Sequence, residues 1–221
     1  MAVEALLIDL DGTLVNPKKA LLEAATAGYV AIGANQFDAR VGIEIARRME
    51  QRLPIHDLFN PKYREPSDLK KFLSAYIDAY YISTMTMAIP LPKVYETLQT
   101  LSQNFPLGLV TLRSIPKKQI TKELAQLKFL KYFKTVITTM DVKKPKPFPD
   151  AVTKGAKQLG VSTNYCAVVG DSVVDIKAGK AAGTKTIAVL SGLYKKEELE
   201  KEKPDLIIKN INHLPKHLQI L

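Results

Sequence analysis

Short apolar runs of strand length recur along this chain with helix-patterned segments between them, and that alternation restricts the fold more than any other feature. The runs occupy residues 3–9, 107–111, 135–138, 165–170, 184–190 and 206–208. Residues 94–101, 117–127, 151–159 and 175–182 carry apolar side chains at helical spacing between them. Such alternation predicts parallel strands joined by right-handed crossovers, an open α/β sheet with helices on both faces. Ligands of such sheets bind beyond the carboxyl ends of the strands, so chemistry is sought there.

The alternation breaks once. From about residue 18 to 88 no convincing strand appears, only helix-like runs at 19–32, 39–52 and 68–81. Pro17 stands at the entry of this stretch and Pro90 and Pro92 at its exit. The expected organisation is an α/β core of residues 1–16 and 89–221, with a helical cap insertion at 17–88. An insertion hung from the first strand on two short linkers suits a mobile lid over a strand-end site.

Composition narrows the setting. With 221 residues, 46% hydrophobic and 24% charged, the chain can bury a core that holds a rigid site without disulfides. The single cysteine, Cys166, lies in an apolar run and reads as a core thiol, which points to a cytoplasmic protein. No run approaches the ~20 apolar residues that span a bilayer. The apolar opening is broken by Asp9 and Asp11 with no basic region before it, so it does not read as a signal peptide. The net charge of +10 suits nucleic acid or small anions. The lysines are scattered, without interleaved aromatics, which argues against nucleic acid and for a small phosphorylated metabolite. Monomer and homodimer both remain open.

Two segments carry paired carboxylates. In 6–14, LLIDLDGTL, an apolar strand runs into Asp9 and Asp11, followed by Gly12 and Thr13. A sharp turn at Gly12 can bring both carboxylates to one small site. Clustered carboxylates are costly unless a cation sits among them or one stays protonated. Either outcome serves catalysis, through a hard divalent ion or a proton donor. In 165–183 another strand reaches Gly170 and Asp171, with Asp175 four residues on. A helix beginning near Ser172 places both acids at its first turn, where they can equally serve as cap and solvated first-turn acid. Thr111 closes its own strand with a hydroxyl, and Lys144 lies in the proline-stiffened segment 143–149, KKPKPFP.

These four segments, in this order, resemble the haloacid dehalogenase-like hydrolase superfamily, in its phosphoglycolate-phosphatase-like branch. The matching stretches are Asp9-Leu10-Asp11-Gly12-Thr13, then Thr111, then Lys144 in Lys144-Pro145-Lys146-Pro147, then Gly170-Asp171-Ser172-Val173-Val174-Asp175. The resemblance implies a Rossmann-like core, a helical cap after the first motif, and a Mg2+-dependent phosphomonoester hydrolase. Asp9 is then the nucleophile that forms an aspartyl-phosphate, and Asp11 the acid that protonates the leaving oxygen and afterwards activates water. Thr111 and Lys144 bind the phosphoryl group. Asp9, the Asp11 main-chain carbonyl and Asp171 hold the metal, with Asp175 close by. Dehalogenases of this superfamily lack an aspartate where Asp11 stands, which favours phosphate chemistry.

Near the substrate the chain departs from its relatives. Leu112-Arg113-Ser114 follows Thr111 where many have asparagine, so Leu112 and Arg113 become candidate substrate contacts, with Arg113 facing either an anion or solvent. In the insertion, Val41-Gly42-Ile43 resembles a substrate-facing turn, which nominates Gly42. Ile45 stands near where mutase relatives carry a substrate-binding arginine, which weighs against the runner-up activity, a sugar-phosphate mutase. Arg47, Arg48 and Arg52 are read as cap charge or a solvated helix face. A signalling receiver shares strand-end aspartates, threonine and lysine, but it is shorter and lacks the insertion. A non-catalytic phosphate-binding protein is the remaining alternative.

Overall fold

Strands whose residues are apolar on both faces need cover on both sides, and parallel strands linked by helical crossovers provide it. The computed structural model, which describes residues 2–217, has this arrangement. The chain forms two units, one running up to Asn16 and resuming at Pro90, the other spanning Pro17–Ile89.

The first unit is built on a six-stranded, all-parallel sheet in the order β5-β4-β1-β6-β7-β8. Its strands are β1 (Ala5–Ile8), β4 (Leu107–Val110), β5 (Phe133–Ile137), β6 (Cys166–Gly170), β7 (Lys185–Val189) and β8 (Leu206–Ile208). The short strands β2 (Val15–Asn16) and β3 (Ile89–Pro90) mark where the chain leaves this unit and returns. A hydrogen bond from Leu91 N to Leu14 O, at 2.9 Å, ties the returning chain to the departing one. The connecting helices are α4 (Val94–Asn104), α5 (Lys117–Gln126), α6 (Asp150–Leu159), α7 (Val173–Ala181) and α8 (Lys196–Lys201). All four residues of β1 are fully buried. Ala5 and Leu7 share a face with Val110, Val152, Ala156 and Ala178, which joins the sheet to α6 and α7. Cys166 belongs to the same cluster, and burial pushes its thiol up to about 11, away from reactivity.

Every strand and helix expected in this unit is present, with ends shifted by a few residues. The polar α8, KEELEK, escaped notice because it buries a single residue, Leu199, and so shows no apolar period. The strand order makes β1 the pivot. The chain passes from β1 to β4 and β5 on one side, then crosses to β6, β7 and β8 on the other. The carboxyl ends of β1 and β6 therefore flank the switch point, where diverging connections leave a crevice.

The second unit packs α1 (Lys18–Ala31), α2 (Val41–Glu50) and α3 (Pro66–Met87) around an aromatic centre. Phe72 meets Tyr29 edge-on at 5.1 Å and Phe59 at 4.7 Å between ring centroids. Helix α3 begins at Pro66, a residue suited to a first turn, and runs past the expected end near 81. The hydroxyl-rich residues beyond it read poorly as helix. In the structure Thr84 and Thr86 return their hydroxyls to Tyr81 O and Ile82 O, which satisfies them within the helix. Among the described residues no helix is long and apolar enough to cross a membrane.

Leu7 is at the centre of the sheet unit's core. Leu7→Ala should cost about 2–5 kcal/mol, read as a lowered urea midpoint at unchanged slope.

Candidate functional site

Register alone brings the first residues together. Ile8 pairs with Leu109 on β4 and with Val169 on β6. One residue past each strand end stand Asp9, Thr111 and Asp171, all buried. Asp9 N still donates to Val169 O at 2.9 Å and Thr111 N to Ile137 O at 3.0 Å, so the ladder holds their backbones in place.

Three carboxylates converge at the switch point. Ligand atoms of Asp9, Asp171 and Asp175 lie within 4.8 Å of one another. Two glycines make the approach possible. A Cβ on Gly12, whose φ is +88°, would stand 2.4 Å from Asp171 Oδ2, and one on Gly192 would stand 1.6 Å from the same atom. Asp171 accepts from Thr13 Oγ1 and Leu193 N, each at 3.3 Å. Asp175 sits in the first turn of α7 in a reciprocal cap with Ser172, whose Oγ donates to Asp175 Oδ2 at 2.6 Å. It is thus a first-turn acid that is buried rather than solvated, and its other oxygen meets Lys146.

The cation that meets these acids is Lys146, not Lys144. Lys146 Nζ donates to Asp9 Oδ1 at 2.8 Å, to Asp175 Oδ1 at 2.6 Å and to Val110 O at 3.0 Å. Its side chain is 2% exposed. Lys144 is exposed, its Nζ 5.3 Å from the centre of the Phe148 ring. Both lysines alternate with prolines in one short segment, so motif spacing could not separate them; only the path of the loop decides which ammonium turns inward. Burial opposes the charge on Lys146, but Asp175 and Asp9 outweigh it and hold the ammonium above its ordinary range. Burial pushes the Asp9 carboxyl up to about 7 against the pull of Lys146, and Asp175 adds to the rise. One ammonium thus meets two of three clustered carboxylates, and the donor set is all oxygen. That excess of negative charge, among ligand atoms already gathered, fits a hard divalent cation.

Asp11 stands apart from the cluster. Its two oxygens accept from Arg113, Nε to Oδ2 at 2.7 Å and Nη2 to Oδ1 at 2.8 Å. Arg113 does not face solvent; its side chain is 2% exposed and its Nη1 pairs with Glu123 of α5. Burial pushes the Glu123 carboxyl above its ordinary value, with Arg113 pulling the other way. Arg113 N donates to Thr111 Oγ1 at 3.2 Å, tying the threonine into the same turn. Glu123 was invisible as a site residue, since nothing in a helical pattern distinguishes one glutamate from the next.

Leu112 is half-buried and packs against the cluster of Val173, Val174 and Ile176. Gly42 lies in the helical unit at the start of α2, where a Cβ would come within 2.7 Å of Leu21 O. Its carbonyl accepts from Tyr76 Oη at 3.0 Å, so its place there is one of helix packing. Arg47 and Arg48 pair with Glu44 at 3.0 and 3.1 Å along α2, as a salt-bridged helix face does.

The chain is similar to known proteins. "Pyrophosphatase PpaX" from Bacillus cereus (strain AH820) is 28% identical over 220 residues, covering 97% of this chain and 95% of its own. The crystal structure of a predicted phosphoglycolate phosphatase from Haemophilus somnus 129pt superposes with a TM-score of 0.76 at 21% identity, covering 97% of each chain. A provisionally assigned beta-phosphoglucomutase from Thermotoga maritima does so with a TM-score of 0.73 at 20% identity, covering 99% of this chain and all of its own. Both share the fold. Residues 6–189 match the haloacid dehalogenase-like hydrolase family, from the first strand through β7, and the chain belongs to that family.

Proposed function

We propose that this hydrolase is a Mg2+-dependent phosphatase that cleaves a small phosphorylated metabolite through an aspartyl-phosphate on Asp9. The observation that carries the reading is the gathering of Asp9, Asp171 and Asp175 about Lys146 at the carboxyl ends of β1 and β6. Phosphoryl transfer asks little covalent work of a protein and much positioning and charge neutralisation, which such a site provides.

Lys146 engages one oxygen of Asp9, which fixes the carboxylate and leaves the other oxygen to attack phosphorus. As the new O–P bond forms and the ester P–O bond breaks, Asp11 gives a proton to the departing oxygen. In the second step Asp11 takes a proton from water, whose oxygen attacks the phosphorus and releases phosphate, restoring Asp9. Two displacements are each easier than direct attack by water. The Thr111 hydroxyl is the donor for the phosphoryl group. Asp9, Asp171 and the Asp11 main-chain carbonyl would hold Mg2+, with Asp175 beside them; bound there, the ion supplies charge neutralisation for the phosphate. Lys146 takes the part that the family resemblance suggested for Lys144.

A phosphoglycolate-like metabolite is the first substrate to try. Pyrophosphate is the second, because relatives named pyrophosphatase span nearly the whole chain. The lone cysteine, buried in the core, supports a cytoplasmic setting.

Phosphate release from p-nitrophenyl phosphate, phosphoglycolate and pyrophosphate, with and without Mg2+, tests the reading. Hydrolysis should require Mg2+ and fall by at least roughly three orders of magnitude in Asp9→Asn, with the fold retained. Retained activity in that variant would remove Asp9 as nucleophile. Conversion of glucose 1-phosphate in the presence of a sugar bisphosphate, without net phosphate release, would point to the mutase instead.

The two lysines separate by stability. Lys146→Met strands two buried carboxylates and should cost about 3–5 kcal/mol in chemical denaturation. Lys144→Met, at an exposed position, should stay within about 0.5 kcal/mol of the parent.

A further inference from the structure

Asp11 is the most accessible acid of the site, its side chain 20% exposed against 7% for Asp9 and 3% for Asp175. An acid that exchanges protons with a leaving group and then with water has to be reachable. A reachable carboxylate is also free to rotate about its own side-chain bonds unless something holds it, and a proton donor needs its oxygen within hydrogen-bond reach of the reacting atom. Neither Lys146 nor the three-carboxylate cluster holds the Asp11 side chain.

Arg113 does. Its Nε and Nη2 take both Asp11 oxygens at 2.7 and 2.8 Å, a two-point contact that fixes the plane of the carboxyl group as well as its distance. The guanidinium is itself immobilised. Its backbone N donates to Thr111 Oγ1, its carbonyl accepts from Thr139 N and Oγ1, and its Nη1 meets Glu123. Glu123 is 2% exposed, and among the described residues its Oε2 is buried without a hydrogen-bond partner. A buried carboxylate oxygen left unsatisfied is a cost that stability alone does not repay. What Glu123 supplies is a second carboxylate for Arg113, which holds the guanidinium from the side opposite Asp11.

We infer that Arg113, braced by Glu123, is a positioning residue that aims Asp11 at the leaving-group oxygen and thereby sets how well this enzyme cleaves esters with poor leaving groups. The inference rests on the proposed phosphatase reaction and deepens it, since Arg113 and Glu123 are not among the residues proposed to hold phosphate or metal. Its chemical consequence is specific. An ester whose leaving oxygen is a good anion departs without a proton, whereas an alkyl ester needs one from Asp11 as the P–O bond breaks. Loss of aim should therefore penalise alkyl phosphates far more than activated aryl phosphates. Disturbed packing would slow every ester alike.

The experiment measures kcat/KM with saturating Mg2+ for phosphate monoesters, from 2,4-dinitrophenyl through p-nitrophenyl and phenyl to simple alkyl leaving groups. The parent is compared with Arg113→Lys, Arg113→Met and the double variant Arg113→Met/Glu123→Gln. The double variant removes both buried charges, so it tests the idea even if Arg113→Met alone does not fold. The expected result is a loss for alkyl esters about tenfold or more beyond the loss for the dinitrophenyl ester, within the ~10²–10⁴-fold that a positioned acid provides. Arg113→Lys, which keeps the charge but not the two-point contact, should recover part of that excess. Equal losses across the series, or faster cleavage of alkyl esters in the variants, overturn the inference while leaving the phosphatase reading intact. A folded parent that cleaves none of the esters overturns both.

Discussion

The ammonium of Lys146, shared by Asp9 and Asp175 beneath the strand tips, is the contact on which the rest of the site depends. Two carboxylates buried this close repel each other, and a third, Asp171, adds to the field. Without an internal cation the loops carrying them would have to splay or the acids would have to take up protons. One lysine partly offsets the repulsion and leaves Asp9 reluctant to ionise, with its carboxyl pushed up to about 7. The site is thus short of positive charge by design of its residues, a condition that favours a divalent cation and an incoming phosphoryl group held against it. A fully neutralised site would be more stable and less able to attract either.

The sheet makes this crowding possible. A parallel strand delivers its carboxyl end with the precision of its ladder, and three neighbouring strands deliver Asp9, Thr111 and Asp171 within one residue of a common level. Glycine then decides how near the loops come. At Gly12 and Gly192 any side chain would occupy the space of the Asp171 carboxylate. The loop after β5 completes the site by turning Lys146 under the strand tips, where it also donates to Val110 O. Backbone regularity thus places the acids, and irregular backbone places the cation.

That division explains what could be read in the sequence. The alternation of runs was enough for the parallel core and for the helical insertion, since strand and helix periods are properties of neighbouring residues. Asp9, Asp11, Asp171 and Asp175 were legible because each directly follows or closely trails a recognisable strand. Lys146 was not, because it lies in an aperiodic loop between two prolines, two positions from another lysine of the same chemistry. The place of Arg113 after Thr111 marks it but not its direction, and nothing in the sequence marks Glu123, because the pairing between them joins a loop to a helix across ten residues of chain. Pair contacts of that kind depend on side-chain direction, which no periodicity records. Gly42 illustrates the converse: a short motif suggested a substrate contact, whereas the structure gives it a close helix crossing with Leu21 and Ala25.

Two separate ion systems follow from two incompatible demands. The acids clustered beside Lys146 have to be crowded and dry, so that their charge is unscreened where a metal and a phosphoryl group are proposed to bind. The acid proposed to move protons has to meet solvent and leaving group, so it cannot share that enclosure. Asp11 accordingly lies outside the reach of Lys146 and takes its own cation, Arg113, whose far side is sealed in the core by Glu123. Lysine suits the first place, because a compact ammonium can be shared among oxygens in several directions. Arginine suits the second, because a planar fork fixes the orientation of a single carboxylate. Exchanging the two residue types would keep the charge count and lose both functions, so it is the shape of each cation, rather than its sign, that the architecture uses.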